Sequence, residues 1–162
     1  MSARIKETKD KVLFWLREEG ISPEEANDPN AYFNIGLRLG DWGATIFQNL
    51  RMIDSISVGS RWILGDEQLK LHKEMLDDPK RLAYYWDLQF MALSNPQIGE
   101  FEITPNPPND FRALLITSNR IFYDSLTKQS LMDSIVGVHK TMVHAIFLLE
   151  KYGGVIPPYP PK

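Results

Sequence analysis

The segment AYFNIGLRLGDWGATIF, residues 31–47, constrains the fold more than any other part of the chain. Apolar and polar side chains alternate from residue 32 to residue 39, and a period of two is typical of a half-buried β-strand. LGDWG then has the composition of a turn, and WGATIF predicts a second strand. Because so short a connection can join only antiparallel strands, the segment predicts a β-hairpin. The side chains expected on its apolar face begin with Phe33, Ile35, Leu37 and Leu39.

Further elements follow from the same patterns. Apolar residues at helical spacing predict helices, and alternation between turn-forming residues predicts strands. Residues 22–30 are expected to form a polar connection. Thr127 is a plausible N-cap of the last helix and Gly153 ends it. The predicted helices are 4–19, one starting at Asp66, one starting at Pro79, and 128–152; the other predicted strands are 55–64, 98–103 and 111–124.

These elements predict one α+β domain over residues 1–152, followed by a proline-rich tail over residues 153–162. The expected order is α-β-β-β-α-α-β-β-α, with an antiparallel sheet of about five strands. The first and last helices are expected to pack on one face of that sheet. In the helix after Pro79, the apolar face is formed by Leu82, Tyr85, Trp86, Gln89, Phe90 and Leu93.

Composition and charge argue against several classes of protein. The net charge of −3 and the pI near 5.6 give no electrostatic reason to bind nucleic acid. That role would need Arg38, Arg51, Arg61 and Arg112 to gather on one sheet face. No stretch approaches the ~20 apolar residues that cross a bilayer. We therefore expect a cytoplasmic protein with no membrane partner, and the lack of cysteine fits a reducing interior.

The chain has three histidines, and none of them is expected to bind a metal. His139 and His144 are five residues apart on the predicted last helix, which separates them by about 140° around its axis. His139 lies within the apolar arc and His144 on the polar side. His139 and His72 are therefore interpreted as hydrogen-bonded core or interface histidines. No catalytic, cofactor-binding or metal-binding residue is assigned, and no cofactor is expected.

Aromatic residues are numerous enough to form a binding surface as well as a core. The candidates for binding a partner are Trp42, Trp62, Tyr84 and Trp86. An exposed apolar patch formed by such residues would mark an interface.

Three segments resemble an archaeal family of unknown function: DSISVGSRWIL, LAYYWDLQFMAL and RIFYDSLTKQSLMDSIVGVHKTMVHAIFLLEK. The resemblance extends over about residues 5–152 and implies a shared fold and lineage, with no activity to transfer. The element order also resembles that of class I type III secretion chaperones. Those proteins are small, acidic α+β homodimers that hold extended segments of other proteins, and the resemblance is one of topology.

The favoured hypothesis is a non-catalytic protein-interaction module, chaperone-like, that works as a homodimer or holds an extended segment of another protein. An apolar helix or sheet surface would bind the partner, with strand addition at a sheet edge as one means. The alternative is a small enzyme with a pocket around His139, in which Asp87 and Asp124 would supply acids.

Overall fold

The computed structural model describes residues 2–74, 78–104 and 111–153, which form four α-helices, one short 3₁₀ helix and seven strands. In chain order these are α1 (Ala3–Glu18), β1 (Pro23–Ala26), β2 (Ala31–Leu39), β3 (Trp42–Asn49), β4 (Ser55–Ile63), α2 (Asp66–Glu74), α3 (Asp78–Ser94), β5 (Ile98–Thr104), β6 (Ala113–Ser118), β7 (Ile121–Phe122), the 3₁₀ helix (Tyr123–Ser125) and α4 (Lys128–Tyr152). The predicted tail beyond Gly153 lies outside the described residues.

The strands form an open antiparallel sheet in the order β1-β2-β3-β4-β6-β5, with the short β7 pairing with the start of β4. The α+β class is confirmed, but the prediction of about five strands and the predicted element order were wrong. The first additional strand, β1, is the segment predicted as a polar connection. Its residues are mostly exposed because it lies at the edge of the sheet, so they show no alternation. The second, β7, lies within residues 111–124, predicted as one strand, and pairs separately with β4.

The hairpin at residues 31–47 forms as predicted. Leu39 pairs with Trp42, and Gly40 adopts a φ of +65°, a conformation that glycine accepts without strain. The register continues across the sheet, since Ile46 pairs with both Ile35 and Val58. These three side chains are fully buried and define the core face. The opposite face of the sheet is called the open face below.

Helices α1 and α4 contribute their apolar sides to the same core cluster as the buried face of the sheet. Val12 and Leu16 of α1 are fully buried, and each such side chain stabilises the fold by roughly 1.5–3 kcal/mol. The predicted start of α4 is confirmed by a capping box. The Ser130 backbone N–H donates to the Thr127 hydroxyl at 3.0 Å, and the Thr127 backbone N–H donates to the Ser130 hydroxyl at 2.9 Å.

Candidate interaction surface

Helix α3 packs into the molecule by one side only. Tyr84, Tyr85, Leu88 and Ala92 are buried on that side, and α4 is the helix against which α3 packs. The spacing of four residues between Tyr84, Leu88 and Ala92 aligns them along one side of a helix. This buried side fixes the direction in which the rest of α3 points.

The outward side of α3 is also apolar. Its large side chains recur at intervals of three or four residues and therefore form a continuous row. We call this row the α3 stripe. It consists of Leu82, Trp86, Phe90 and Leu93, which are 58%, 63%, 73% and 85% exposed.

The apolar face predicted for α3 is mostly its outward side. Of the six residues predicted to form that face, Tyr85 is buried, whereas the four members of the α3 stripe are exposed. The helix is apolar on two sides, and spacing alone cannot tell which of two such sides meets the core. Trp86 was predicted to bind a partner, whereas the exposure of Leu82, Phe90 and Leu93 was not predicted.

A groove of about 660 Å³ lies beside the α3 stripe, between α3 and α4. Phe90 belongs to both the stripe and the groove wall, and Lys140 and His144 of α4 line the other side. Asp87 also lines it and accepts a hydrogen bond from the Tyr152 hydroxyl at 2.6 Å, an interaction that raises the pKa of Tyr152. The groove brings charged side chains to the margin of an apolar surface, as at the rim of many interfaces.

The four aromatic residues predicted to bind a partner differ in exposure. Trp86 lies in the α3 stripe. Trp62 is half-buried and packs edge-on against Phe111, and Trp42 is also half-buried. Tyr84 is fully buried, and burial raises the pKa of its hydroxyl. Of these four residues, Trp86 alone offers a large exposed surface.

His139 is half-buried on α4, and its ring lies 4.5 Å from the ring of Trp42, at an angle of 52°. The His139 Nδ1 and Trp42 Nε1 atoms are both buried without a hydrogen-bond partner among the described residues. His139 is thus part of an aromatic contact between α4 and the β2–β3 hairpin. The interpretation of His72 as a hydrogen-bonded core histidine is confirmed, because its Nε2 lies 2.9 Å from the buried hydroxyl of Tyr85.

The three residues considered for an enzyme lie on three different elements: Asp87 on α3, Asp124 in the 3₁₀ helix and His139 on α4. Asp87 contacts Tyr152 at the C-terminal end of α4, which is 13 residues, or ~20 Å, from His139. Asp124 lies before the N-terminus of α4 and forms an ion pair of 2.7 Å with Arg4. These residues are therefore not brought together in one site.

The four arginines considered for nucleic acid do not form one patch. Arg38 and Arg61 have the strand parity of the open face, and Arg38 lies beside the β2–β3 turn. Arg51 lies in the β3–β4 turn, at the other end of the sheet. Arg112 immediately precedes β6. Within the described ranges, no group of three His, Asp or Glu side chains could hold a metal ion.

The expectation that no stretch approaches the length needed to cross a membrane was too strict, because among the described helices α4 is long and apolar enough by length and composition. The core helix of a globular domain can meet the same criteria. In this structure α4 packs against four strands, β3 to β6, and against α2 and α3. Its apolar residues thus have a structural use within the domain.

Residues 8–149 match the sequence profile of a family described as "Uncharacterized conserved protein (DUF2299)". No curated protein matches the chain. The fold is similar to the crystal structure of an uncharacterized protein from Methanothermobacter thermautotrophicus, with a TM-score of 0.77 and 25% identity. That match covers 88% of this chain and 96% of the other. The family match agrees with the predicted resemblance to a family of unknown function, and the similar structure comes from an archaeon. The topological resemblance to secretion chaperones stays a prediction.

Proposed function

This chain belongs to the DUF2299 family, and we propose that it is a protein-interaction module that pairs with a second copy of itself through α3. The observation that carries this proposal is the α3 stripe, which exposes four large apolar side chains in one row. Contiguous exposed apolar surface is unfavourable in water and commonly marks an interface.

A second copy fits the α3 stripe because a row along a helix can be self-complementary. About a two-fold axis perpendicular to α3 the two helices would run antiparallel, so that Trp86 and Phe90 of one copy face the same two residues of the other. Trp and Phe can each bury on the order of 150–250 Å². They would form the centre of an interface of about 800 Å² per partner, the size typical of stable complexes.

Charge favours the antiparallel arrangement. Lys80 and Arg81 lie near the N-terminus of α3, and the last turn of α3 carries no basic residue. Cations stabilise the C-terminal end of a helix, where the helix dipole is negative. An antiparallel pair would bring Lys80 of each copy towards the C-terminal end of α3 in the other, so the electrostatic preference and the apolar contact agree.

The proposal is tested by light scattering on the purified protein over a dilution series. We expect a species of twice the 18.7 kDa chain mass that dissociates on dilution. Trp86→Glu and Phe90→Glu should each yield a monomer with an unchanged circular dichroism spectrum. Phe14→Glu is the matched control, because Phe14 is an exposed aromatic residue of α1 outside the stripe.

Self-association through α3 would be overturned by either of two kinds of result. One is a wild-type protein that stays monomeric at every concentration, which would leave an extended segment of another protein as the alternative occupant of the stripe. The other is a dimer that survives both glutamate substitutions, or that Phe14→Glu disrupts equally.

A further inference from the structure

The open face of the sheet contains a cavity of about 330 Å³. It lies at the end of the sheet where the β3–β4 turn approaches the end of β6 and the start of β5. Ser57, Thr117 and Glu100 line its floor and edge. This cavity is separate from the α3 stripe and the groove beside it, so an inference about it stands independently of the proposed function.

The strand register explains why these side chains meet. Ser57 pairs with Phe47 across β3 and β4, and Thr117 pairs with Gly59 on β4 and with Glu100 on β5. Because alternate residues of a strand point to opposite faces, all of them lie opposite the core face defined by Ile46 and Val58.

Gly59 allows an aromatic wall to form. A β carbon at this position would lie 3.2 Å from Cε1 of Phe47 and 3.7 Å from the Thr117 hydroxyl oxygen. The absence of a side chain on Gly59 therefore lets the ring of Phe47 lie close to the sheet. Phe47 forms an apolar wall beside the polar floor of the cavity.

Ser57 provides an unsatisfied polar group within this cavity. Its side chain is 0% exposed, and its hydroxyl oxygen has no hydrogen-bond partner among the described residues. Buried hydroxyl groups in folded proteins nearly always have a partner, because an unpaired one loses its hydration without replacement. The Ser57 hydroxyl thus keeps an unused hydrogen-bonding capacity beneath the floor of the cavity.

Two guanidinium groups line the same cavity. Arg51 comes from the β3–β4 turn and Arg120 from the loop after β6, and neither forms an ion pair with a described residue. Glu100 is the acidic residue among those lining the cavity. The two arginines and this glutamate together give the cavity lining a formal charge of +1. The cavity therefore favours a negatively charged ligand.

Both arginine-bearing segments are held in place by hydrogen bonds. The Arg51 backbone N–H donates to the Asn49 side chain at 3.1 Å, and the Asn119 backbone N–H donates to the Gln97 carbonyl at 2.8 Å. Such bonds fix the backbone from which the two arginine side chains extend. A ligand then loses less conformational freedom of the protein on binding.

We propose that this cavity binds a small anion that carries a carboxylate or phosphate group. Arg51 and Arg120 hold the anionic oxygens, since the planar guanidinium matches both groups and can donate two parallel hydrogen bonds. Phe47 packs against the apolar part of the ligand. A cavity of this volume, near the lower limit for small-molecule sites, suits a compact metabolite.

The test is isothermal titration calorimetry of the full-length protein at low ionic strength, with inorganic phosphate and with citrate as probes. We expect saturable one-to-one binding of at least one probe, and the preference between them distinguishes phosphate from carboxylate chemistry. Arg51→Ala and Arg120→Ala should each weaken binding about tenfold to a hundredfold, the effect typical of losing a hydrogen bond to a charged group.

Arg38→Ala is the matched control, because Arg38 is an exposed arginine of the same open face that does not line the cavity. It should leave the affinity within about twofold of wild type. The proposal is overturned if neither probe gives saturable binding, or if Arg38→Ala weakens binding as much as Arg51→Ala. Because Trp86→Glu should not alter anion binding, failure here and failure of the α3 interface are distinguishable.

Discussion

Tyr84 and Tyr85 are consecutive, buried residues of α3 whose hydroxyl groups have opposite environments. The Tyr85 hydroxyl lies 2.9 Å from Nε2 of His72, whereas the Tyr84 hydroxyl has no hydrogen-bond partner among the described residues. The same chemical change, Tyr to Phe, therefore removes a hydrogen bond at one position and an unpaired polar atom at the other.

We expect Tyr84→Phe to leave the free energy of unfolding unchanged or to raise it by up to about 1 kcal/mol, because a buried hydroxyl without a partner is unfavourable. Tyr85→Phe should lower it by roughly 1 kcal/mol, since it removes the hydrogen bond between the Tyr85 hydroxyl and His72. Urea denaturation of the two variants measures both effects. Equal destabilisation by the two substitutions would contradict the difference in environment.

The tyrosines also predict how stability depends on pH. Burial raises the pKa of Tyr84 and of Tyr123 above the ordinary value of 10.0. Above about pH 10 the unfolded chain loses phenolic protons that the folded protein keeps, so the free energy of unfolding falls as the pH rises. Below pH 10 this contribution is fully present.

Tyr84→Phe should make that alkaline loss of stability less steep, because the variant has one fewer proton to release on unfolding. Denaturation curves at about pH 8 and about pH 11 give the loss for the variant and for wild type. If the free energy of unfolding falls by the same amount in both proteins over this interval, the pKa of Tyr84 does not differ between the folded and unfolded states.

The two apolar sides of α3 predict different responses to truncation. Leu88 is fully buried, so Leu88→Ala should lower the free energy of unfolding by about 2–5 kcal/mol. Leu93 is mostly exposed, so Leu93→Ala should change the stability of the monomer by no more than about 0.5 kcal/mol. Denaturation at a concentration where the protein is monomeric separates these effects from association. A large loss from Leu93→Ala under those conditions would show that the outward side of α3 is packed.

The contact between His139 and Trp42 predicts that an aromatic ring at position 139 contributes more to the free energy of unfolding than the imidazole nitrogens do. His139→Phe should keep the free energy of unfolding within about 1 kcal/mol of wild type, since it retains an aromatic contact. His139→Ala should lower it by about 1–2 kcal/mol through loss of that contact. If Phe were as destabilising as Ala at this position, the nitrogens would have a role that the geometry does not show.

Local patterns predicted the elements better than they predicted their surroundings. The β2–β3 hairpin follows from alternation around a turn that contains Gly40, and α4 follows from a long apolar arc with a cap at Thr127. The edge strand β1 was missed, because exposed residues such as Glu24 and Glu25 look like a loop when neither face of a strand is buried. Alternation identifies strands that contribute to a core, and edge strands need not do so.

The candidate sites depend on packing that no local pattern contains. The exposure of Phe90 follows from which apolar side of α3 meets α4. Arg51 and Arg120 line the same cavity because of the strand order, in which β6 lies beside β4 and β5 lies outside β6. Parity along a strand can be read from the sequence, whereas neighbours across the sheet are set by long-range pairing.

The edges of the sheet bear on how the protein can assemble. Each edge strand carries two exposed glutamates, Glu24 and Glu25 on β1 and Glu100 and Glu102 on β5. Joining like edges of two copies would place acidic side chains side by side, a repulsion that natural sheets use against aggregation. Such edges oppose edge-to-edge association of many copies into a continuous intermolecular β-sheet. An assembly that uses the helical side instead closes after two subunits and remains a particle of finite size.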